Sequence, residues 1–513
     1  MRAAVIDIGS NSTKLVIGES DGQNLRIIDS LKNVNQIGRS TFYKGRIAQD
    51  IFHEVISVLN KYKEVITQYE VDKVKIIATT AVREAQNRDI FLDTVRRMTG
   101  FDVEILNVGD VVYYIDAFLS YKLKKTYPIN EKNLLIVELG AGSLDISVME
   151  KGFAVASFGM PLGTLRLKQF KAGIVGSKKE IYQALEEYVE NEIINTKRSF
   201  PDIKIDDIIL IDESYSTELH KVIPNKNRAA SFFTFQFRES NLLISRIKGK
   251  KLDDLSEFYD IPFEHTEAID GYAIVLNKLF KLLKKRSIYI LETSLAEALL
   301  ANVIYGTELA AKYSKENQLI SVAKFLCYKF DLDIKHAKQV AFLSEELFKR
   351  LQSAMGLKDK DLLYLLLASY LHNIGLFINN RAHHKHTEYI INSLSLFRLK
   401  PVEIRCIACI ARYHRKAIPQ KSHFYYQSLA VSERILVQKL SSILRIANSL
   451  DASHKQKVKA LDVEFVRPGE IDLVVSAQES LALERSMFTD RKKFYEEISG
   501  SVVNLKVKPV TTA

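Results

Sequence analysis

Two short segments combine acids, glycines and small hydroxyl residues in a pattern suited to phosphate chemistry. The first is Asp7-Ile8-Gly9-Ser10-Asn11-Ser12, set between two apolar runs. A tight turn of Gly and small hydroxyl residues points backbone N–H groups inward, where they cradle phosphate oxygens. An acid at the strand end, Asp7, can hold Mg²⁺ directly or through water. The second is Glu138-Leu139-Gly140-Ala141-Gly142-Ser143-Leu144-Asp145. The physics is the same, and its two glycines let backbone approach a ligand closely. An acid-Gly-Ser hairpin alone is usually just a turn. Two such loops facing each other would grip an anion from both sides, with carboxylates at hand for a metal or a water. A third segment, Ala78-Thr79-Thr80-Ala81-Val82-Arg83-Glu84-Ala85, runs from a strand into a helix start. Arg83 there can offer bidentate donors to a phosphate.

These segments need strands that end in turns, and the first half of the chain reads that way. Apolar runs at AAVIDI, KLVIGES, LRIIDSLK, KVKIIA and VEILNV alternate with helical periodicity. Residues 48–69 place Ile51, Val55, Val58, Leu59 and Tyr62 on one helical face. Residues 87–99 read as a helix stopped by Gly100. Near residue 126 the layout restarts. NLLIVELGAGSLDISVME repeats the strand, acid, Gly-rich turn and strand of AAVIDIGSNSTKLVIGES. An internal repeat of this kind predicts two domains of the same α/β build, facing each other. The expected pieces are 1–125, 126–310, an all-helical 311–458 and a small α/β tail over 459–513.

The chain has 513 residues, 47% hydrophobic and 26% charged, the ordinary globular mixture. Disordered and fibrous classes are excluded. At about 100–200 residues per domain, several domains are expected. A formal net charge of +11 suits an anionic partner. Three cysteines (Cys327, Cys406, Cys409) are too few for a disulfide framework, so a reducing compartment is the simpler reading. Cys406 and Cys409 form one C-x-x-C inside a helical run, with buried apolar thiols as the plain reading. Asp7 interrupts the only apolar stretch at the N-terminus, which argues against a signal peptide. No uncharged apolar run of about 18 residues occurs, so no membrane span and a cytoplasmic location are expected. Charge alone is a thin basis for nucleic-acid binding, and no aromatic-plus-basic RNA motif accompanies it.

DIGSNS, ATTAVREAQN, ELGAGS and SFGMPLGTLRL, in this order, resemble the Ppx/GppA family. Its members are exopolyphosphatases and guanosine pentaphosphate phosphohydrolases of the actin-like ATPase (ribonuclease H-like) superfamily. The resemblance covers nearly the whole chain, since long members add a helical HD-like domain and a small C-terminal domain. It implies an α/β fold of two actin-like domains and hydrolysis of a terminal phosphoanhydride. It also implies Mg²⁺ or another divalent cation, inorganic polyphosphate or a guanosine polyphosphate as partner, and a homodimer. By position, Asp7, Gly9, Ser10, Asn11 and Ser12 match the first phosphate loop. Arg83 matches the family's phosphate-binding Arg. Glu138, Gly140, Ala141, Gly142 and Ser143 match the second loop, with Glu138 where the family usually has Asp and Asp145 where it usually has Glu. Asp7 and Glu138 are the expected metal holders. Glu138, Asp110 and Asp145 are the expected acids of catalysis.

Several positions depart from the family pattern. The family reads Ser-Gly-x-Glu-Glu-Ala where this chain has Asn107-Val108-Gly109-Asp110-Val111-Val112. The base position is therefore Val111, which cannot take a proton. Asp110 stands one residue earlier, and a one-residue shift turns a helical side chain by about 100°. Asp212-Glu213-Ser214-Tyr215 replaces a Gly-Gly-Thr loop, and Ala296 and Ala298 replace an Arg and a Gly. A rival reading follows: a sensor that binds the same ligand and barely cleaves it. In the helical region His336, His372, Asn373 and Asn448 stand where an HD phosphohydrolase has His, His-Asp and Asp. Asn is a poor partner for a divalent cation, so that domain is expected to be degenerate and structural. Lys385, His386, Arg412, His414, Arg415 and Lys416 are candidates for a basic channel guiding a polyanion.

Overall fold

The computed structural model describes residues 1–21, 25–212, 215–223, 232–248, 250–394, 396–415 and 417–509. The chain forms two compact units, Met1–Lys315 and Glu316–Ala513. The class is mixed α/β, as expected.

The first unit holds two sheets. One contains β1 (Arg2–Ile8), β2 (Ser12–Ser20), β3 (Leu25–Val34), β4 (Lys73–Ala78) and β5 (Glu104–Ile105), in the order β3-β2-β1-β4-β5. The other contains β6 (Asn133–Leu139), β7 (Leu144–Glu150), β8 (Phe153–Met160), β9 (Asp207–Ile211), β10 (Phe233–Gln236) and β11 (Ser287–Leu291), in the order β10-β11-β9-β6-β7-β8. The repeat seen in the sequence is a repeat of build. β1 is antiparallel to β2 and parallel to β4. β6 is antiparallel to β7 and parallel to β9. Central strands covered on both faces read as unbroken apolar runs rather than alternating ones. Ala3 to Ile6 and Leu134 to Val137 are accordingly buried. The helix Gln49–Gln68 seats Ile51, Val55, Val58, Leu59 and Tyr62 in the first lobe's core, as its periodicity predicts. The helix Arg88–Thr99 ends at Gly100, whose φ of +78° is the left-handed conformation that Gly adopts without a Cβ penalty.

The expected boundary at 125/126 falls inside this unit. The reason is an exchange of helices. Val108–Lys122 packs against β7 and β8 of the second sheet, while Leu295–Lys312 returns to β1 and β2 of the first. The VEILNV run contributes only the two-residue β5, because the chain turns at Leu106 and Asn107 to start a helix.

The second unit is helical from Glu316 to Ser449, then carries β12 (Val458–Arg467), β13 (Glu470–Ala477) and β14 (Val502–Pro509) in one sheet. The expected boundary at 458/459 also lies within a compact unit. The helix Ala482–Ser499 packs on Val431–Ser449, and β12 packs on Ile334–Leu351. All three cysteines are free and buried. Among the described residues no helix is long and apolar enough to cross a membrane.

Candidate active site

The β1–β2 and β6–β7 turns have one geometry. Gly9 N–H donates to the Ser12 carbonyl at 2.9 Å, and Gly140 N–H donates to the Ser143 carbonyl at 3.0 Å. The residues flanking each turn are cross-strand partners, Asp7 with Lys14 and Glu138 with Asp145. The two turns close on each other. A Cβ on Gly142 would collide with Ser10 Oγ and lie 3.0 Å from Thr80 Cβ. Thr80 Oγ1 and Ser143 Oγ are hydrogen-bonded across the gap at 3.0 Å. The Ser143 hydroxyl donates on to Asp145 Oδ2 at 3.2 Å.

Between the turns lies a cavity of about 250 Å³. Asp7, Gly9, Ser10, Asn11 and Ser12 line one side. Glu138, Gly140, Ala141, Gly142, Ser143 and Asp145 line the other. Eleven residues singled out in the sequence are thus brought to one cleft. Val111 lines it too.

Two expected residues are not among its lining. Arg83 stands behind Thr80, with Nη1 donating to the Leu106 carbonyl at 2.6 Å and Nη2 to Thr80 Oγ1 at 3.2 Å. Two of its guanidinium donors are held by these protein acceptors. Asp110 is drawn into a capping box at the start of Val108–Lys122. Its N–H donates to Asn107 Oδ1 at 2.9 Å, and its Oδ2 accepts from Asn107 N–H at 3.2 Å. A carboxylate satisfying a helix N-terminus is turned away from the position Val111 occupies. Of the Asp212–Tyr215 segment, Asp212 and Tyr215 line the cleft. Glu213 and Ser214 lie outside the described residues.

The electrostatics of the cleft are set by carboxyls enclosed in protein. Burial pushes Asp7 up to about 7, opposed by Lys14. Glu138 rises to about 8 through burial, with Asp145 and Asp7 adding to it. Asp145 rises to about 6 through burial, restrained by Arg83 and by the Ser143 hydroxyl. Asp7 Oδ1 and Asp145 Oδ1 are buried without a hydrogen-bond partner. Among the described residues no three His, Cys, Asp or Glu side chains form a ready cage for a metal ion. Magnesium does not need one. It binds through one or two carboxylates and fills its octahedron with water and phosphate oxygens. Asp7, with an orphaned oxygen, and Glu138 on the facing turn fit that donor set.

Sequence reasoning missed the cleft's cations. Lys14, Lys32 and Lys168 line it, Lys168 being bound to Glu267. Burial lowers the pKa of Lys14, while Glu297 and Asp7 oppose the shift. Strand alternation held a signal: Lys14 is two residues beyond Ser12 and so shares its face. It also missed Arg166. Arg166 Nε donates to the Gly142 carbonyl at 2.7 Å, its Cζ lies 3.8 Å from the centre of the Phe42 ring, and Nη2 bonds Glu84.

Of the residues expected to line a basic channel in the second unit, two are drawn into protein contacts. His414 is fully buried, with Nδ1 at 2.7 Å from the Ala411 carbonyl and Nε2 at 3.3 Å from His383 Nε2. Arg412 pairs with the buried Glu388. Lys385 is exposed, His386 and Arg415 are partly exposed, and Lys416 lies outside the described residues. A basic stretch on an amphipathic helix divides between core and surface, which composition does not reveal. His336 uses both ring nitrogens, Nδ1 at 2.8 Å from Asp451 and Nε2 at 3.1 Å from Asn448.

The model of the Ppx/GppA phosphatase family matches residues 16–305, and that of domain III of this family matches 320–489. The chain belongs to the Ppx/GppA phosphatase family. Its curated relatives include the guanosine-5'-triphosphate,3'-diphosphate pyrophosphatase of Pseudoalteromonas translucida, 22% identical over 467 residues and 86% of each chain. That of Pseudoalteromonas atlantica is 21% identical over 467 residues, covering 89% of this chain and 87% of its own. Among solved structures, an exopolyphosphatase from Cytophaga hutchinsonii superposes with a TM-score of 0.53 at 16% identity, over 60% of this chain and 98% of its own. The Aquifex aeolicus family member gives 0.50 at 24% identity, over 59% and 97%. These likenesses give the fold that the Ppx/GppA members share.

Proposed function

We propose that the chain is a phosphatase hydrolysing the terminal phosphoanhydride of inorganic polyphosphate or guanosine pentaphosphate. The observation that carries this reading is the meeting of two phosphate-type turns on one cleft walled by Asp7, Glu138 and Asp145. The names of the relatives support both substrates, a guanosine pentaphosphate pyrophosphatase by sequence and an exopolyphosphatase by fold.

The turns bind the terminal phosphate through backbone N–H groups and the hydroxyls of Ser10, Ser12 and Ser143. A divalent cation held by Asp7 and Glu138 would neutralise charge on the phosphate oxygens. Asp145 takes the base role left open at Val111. At neutral pH its carboxyl, with a pKa near 6, is mostly ionised. Ser143 fixes Oδ2, leaving Oδ1 to accept a proton from water. As that proton moves to Asp145, the water oxygen bonds to the terminal phosphorus. The bridging P–O bond breaks, and its electron pair leaves on the shortened chain.

Val111 favours a second reading, a sensor that binds the ligand with slow turnover. Loss of a general base costs about 10²- to 10⁴-fold while positioning remains. Phosphate release from polyphosphate and from guanosine pentaphosphate with Mg²⁺, in wild type beside Glu138→Ala, separates the two. Release that Glu138→Ala abolishes supports the enzyme. Tight binding without release sinks it. The helical part of the second unit is read as a degenerate HD-like domain with a structural role, because Asn448 and Asp451 occupy both nitrogens of His336.

A further inference from the structure

Three arginines of the second unit are brought together where the helices Val431–Ser449 and Ala482–Ser499 pack on each other. Arg445 stands on the first of these helices and is 5% exposed. Its Nη1 donates to the Tyr413 carbonyl at 3.1 Å and to the Ala417 carbonyl at 2.9 Å, so its guanidinium reaches the segment that carries Arg415. Its Cζ lies 5.3 Å from the centre of the Phe494 ring on the second helix. Arg491, three residues before Phe494, shares the buried face of that helix and is 8% exposed. The three groups act on one another. Burial lowers the pKa of Arg445, and Arg491 adds to the shift. Burial lowers that of Arg491 too, and Arg415 adds to it while Asp490 opposes. Arginine is almost never fully buried unless it is paired, because a buried charge without a counter-charge is costly. Among the described residues none of the three is in an ion pair, and Arg445 Nε is buried with no hydrogen-bond partner. Asp490 is exposed and lies 3.9 Å from Lys493. A cost of this kind, kept inside a packed unit, marks a place where an anion supplies the missing charge.

We propose that Arg415, Arg445 and Arg491 form a second anion site, built within 316–513 alone, that binds a phosphate-type dianion. Guanidinium forks match the oxygens of a phosphate group and can bind two at a time. The Tyr413 and Ala417 carbonyls fix Arg445 in advance, so little side-chain freedom is lost when the ligand arrives. A dianion offsets more of the clustered charge than chloride does, and chloride has no oxygens to spread over several forks. This inference does not depend on the phosphatase reading above.

Hydrogen exchange of the full chain in orthophosphate, in glycerol phosphate and in potassium chloride, all at one ionic strength, tests it. A ligand that binds only the folded form, at ten times its dissociation constant, slows exchange through unfolding about tenfold. Orthophosphate should give a saturable slowing of that size in 431–449 and 482–499, and chloride should give none. Arg491→Met should lose the slowing. Arg491→Lys should recover it in part, because an ammonium keeps the charge without the fork. Without ligand, Arg491→Met should exchange at the wild-type rate or more slowly, because it removes an unpaired buried charge. Slowing by orthophosphate alone identifies the free ion, and slowing by glycerol phosphate as well identifies a phosphate carried on a larger molecule; either supports the site. No slowing beyond that in chloride overturns it. Equal slowing in wild type and Arg491→Met also overturns it. Faster exchange in ligand-free Arg491→Met, together with lost slowing, marks a structural arginine and overturns it too.

Discussion

Gly142 of the second turn and Ser10 of the first meet so closely that a Cβ on Gly142 would collide with the Ser10 hydroxyl oxygen. The fit depends on both sheets delivering their turns to one point. Gly142→Ala forces the turns apart. Because a misplacement of about 1 Å in a catalytic constellation costs ~10²-fold, phosphate release should fall by that order. Cooperative unfolding should persist, since the change lies at the cleft and not in either core. Steady-state release beside a thermal melt checks it, and full activity in the variant would show that the turns do not share a ligand.

Asp145 and Val111 make a second expectation. If Asp145 accepts the proton, Asp145→Asn keeps the shape and the Ser143 contact but removes the base. A loss of about 10²- to 10⁴-fold in kcat should follow, with KM little changed. Val111→Glu puts an acid where the family carries one, on the cleft wall. It should raise kcat at least tenfold, and should rescue Asp145→Asn in part. Single-turnover release on the four proteins measures this. Equal rates for Asp145→Asn and wild type would move the base elsewhere.

Much of this site was legible because its carriers are local. A strand, an acid and a Gly-rich turn form a contiguous motif, and its recurrence around residue 138 announced two lobes. What stayed hidden depends on tertiary register. Arg83 looks like a ligand-binding residue from its place at a helix start, yet only the chain's return through Leu106 shows what it holds. The same is true of Asp110, whose role as a cap is settled by Asn107, three residues away. Lys32 lies on the edge strand β3, and nothing in its neighbours says that β3 pairs it with Lys14. That two helices cover each other's sheets was also hidden, since it is a matter of packing and not of segment type.

The two units should respond to acid with opposite sign. In the second unit, burial lowers His372 to about 3 and lowers His383 and His414 as well. Between its folded and unfolded pKa, the unfolded chain binds a proton that folded His372 refuses. Stability is therefore lost as pH falls through the ordinary histidine range, by about 1.4 kcal/mol for His372 alone between pH 7.5 and 5.5. In the first unit, burial raises Asp116 to about 7, with bonds from Ser147 and Tyr313 restraining it. There the folded chain keeps a proton that the unfolded chain releases, so stability increases over the same fall in pH, by about 2 kcal/mol. Hydrogen exchange at pH 7.5 and 5.5 should show weaker protection in 316–513. Asp116→Asn should remove the gain in 1–315. Parallel changes in both units would contradict these assignments.

Arg166 supplies the last expectation. Its guanidinium covers the Phe42 ring, donates to the Gly142 carbonyl and pairs with Glu84. The Glu84 carboxylate is 44% exposed, so that ion pair contributes little. The other two contacts fix the second turn against the first lobe. A stacked guanidinium and a charged hydrogen bond together contribute about 2–3 kcal/mol, which Arg166→Ala should remove. Arg166→Lys keeps the charge but loses the planar stack and the fixed donor fork, so it should recover only part of that stability. Arg166 does not touch the cleft, and its effect on turnover should appear only through Gly142. Arg166→Ala and Gly142→Ala should therefore be strongly non-additive in kcat/KM, while Glu84→Gln should be near neutral. A double-mutant cycle measures this, and simple additivity of the two losses would show that Arg166 does not act on the turn.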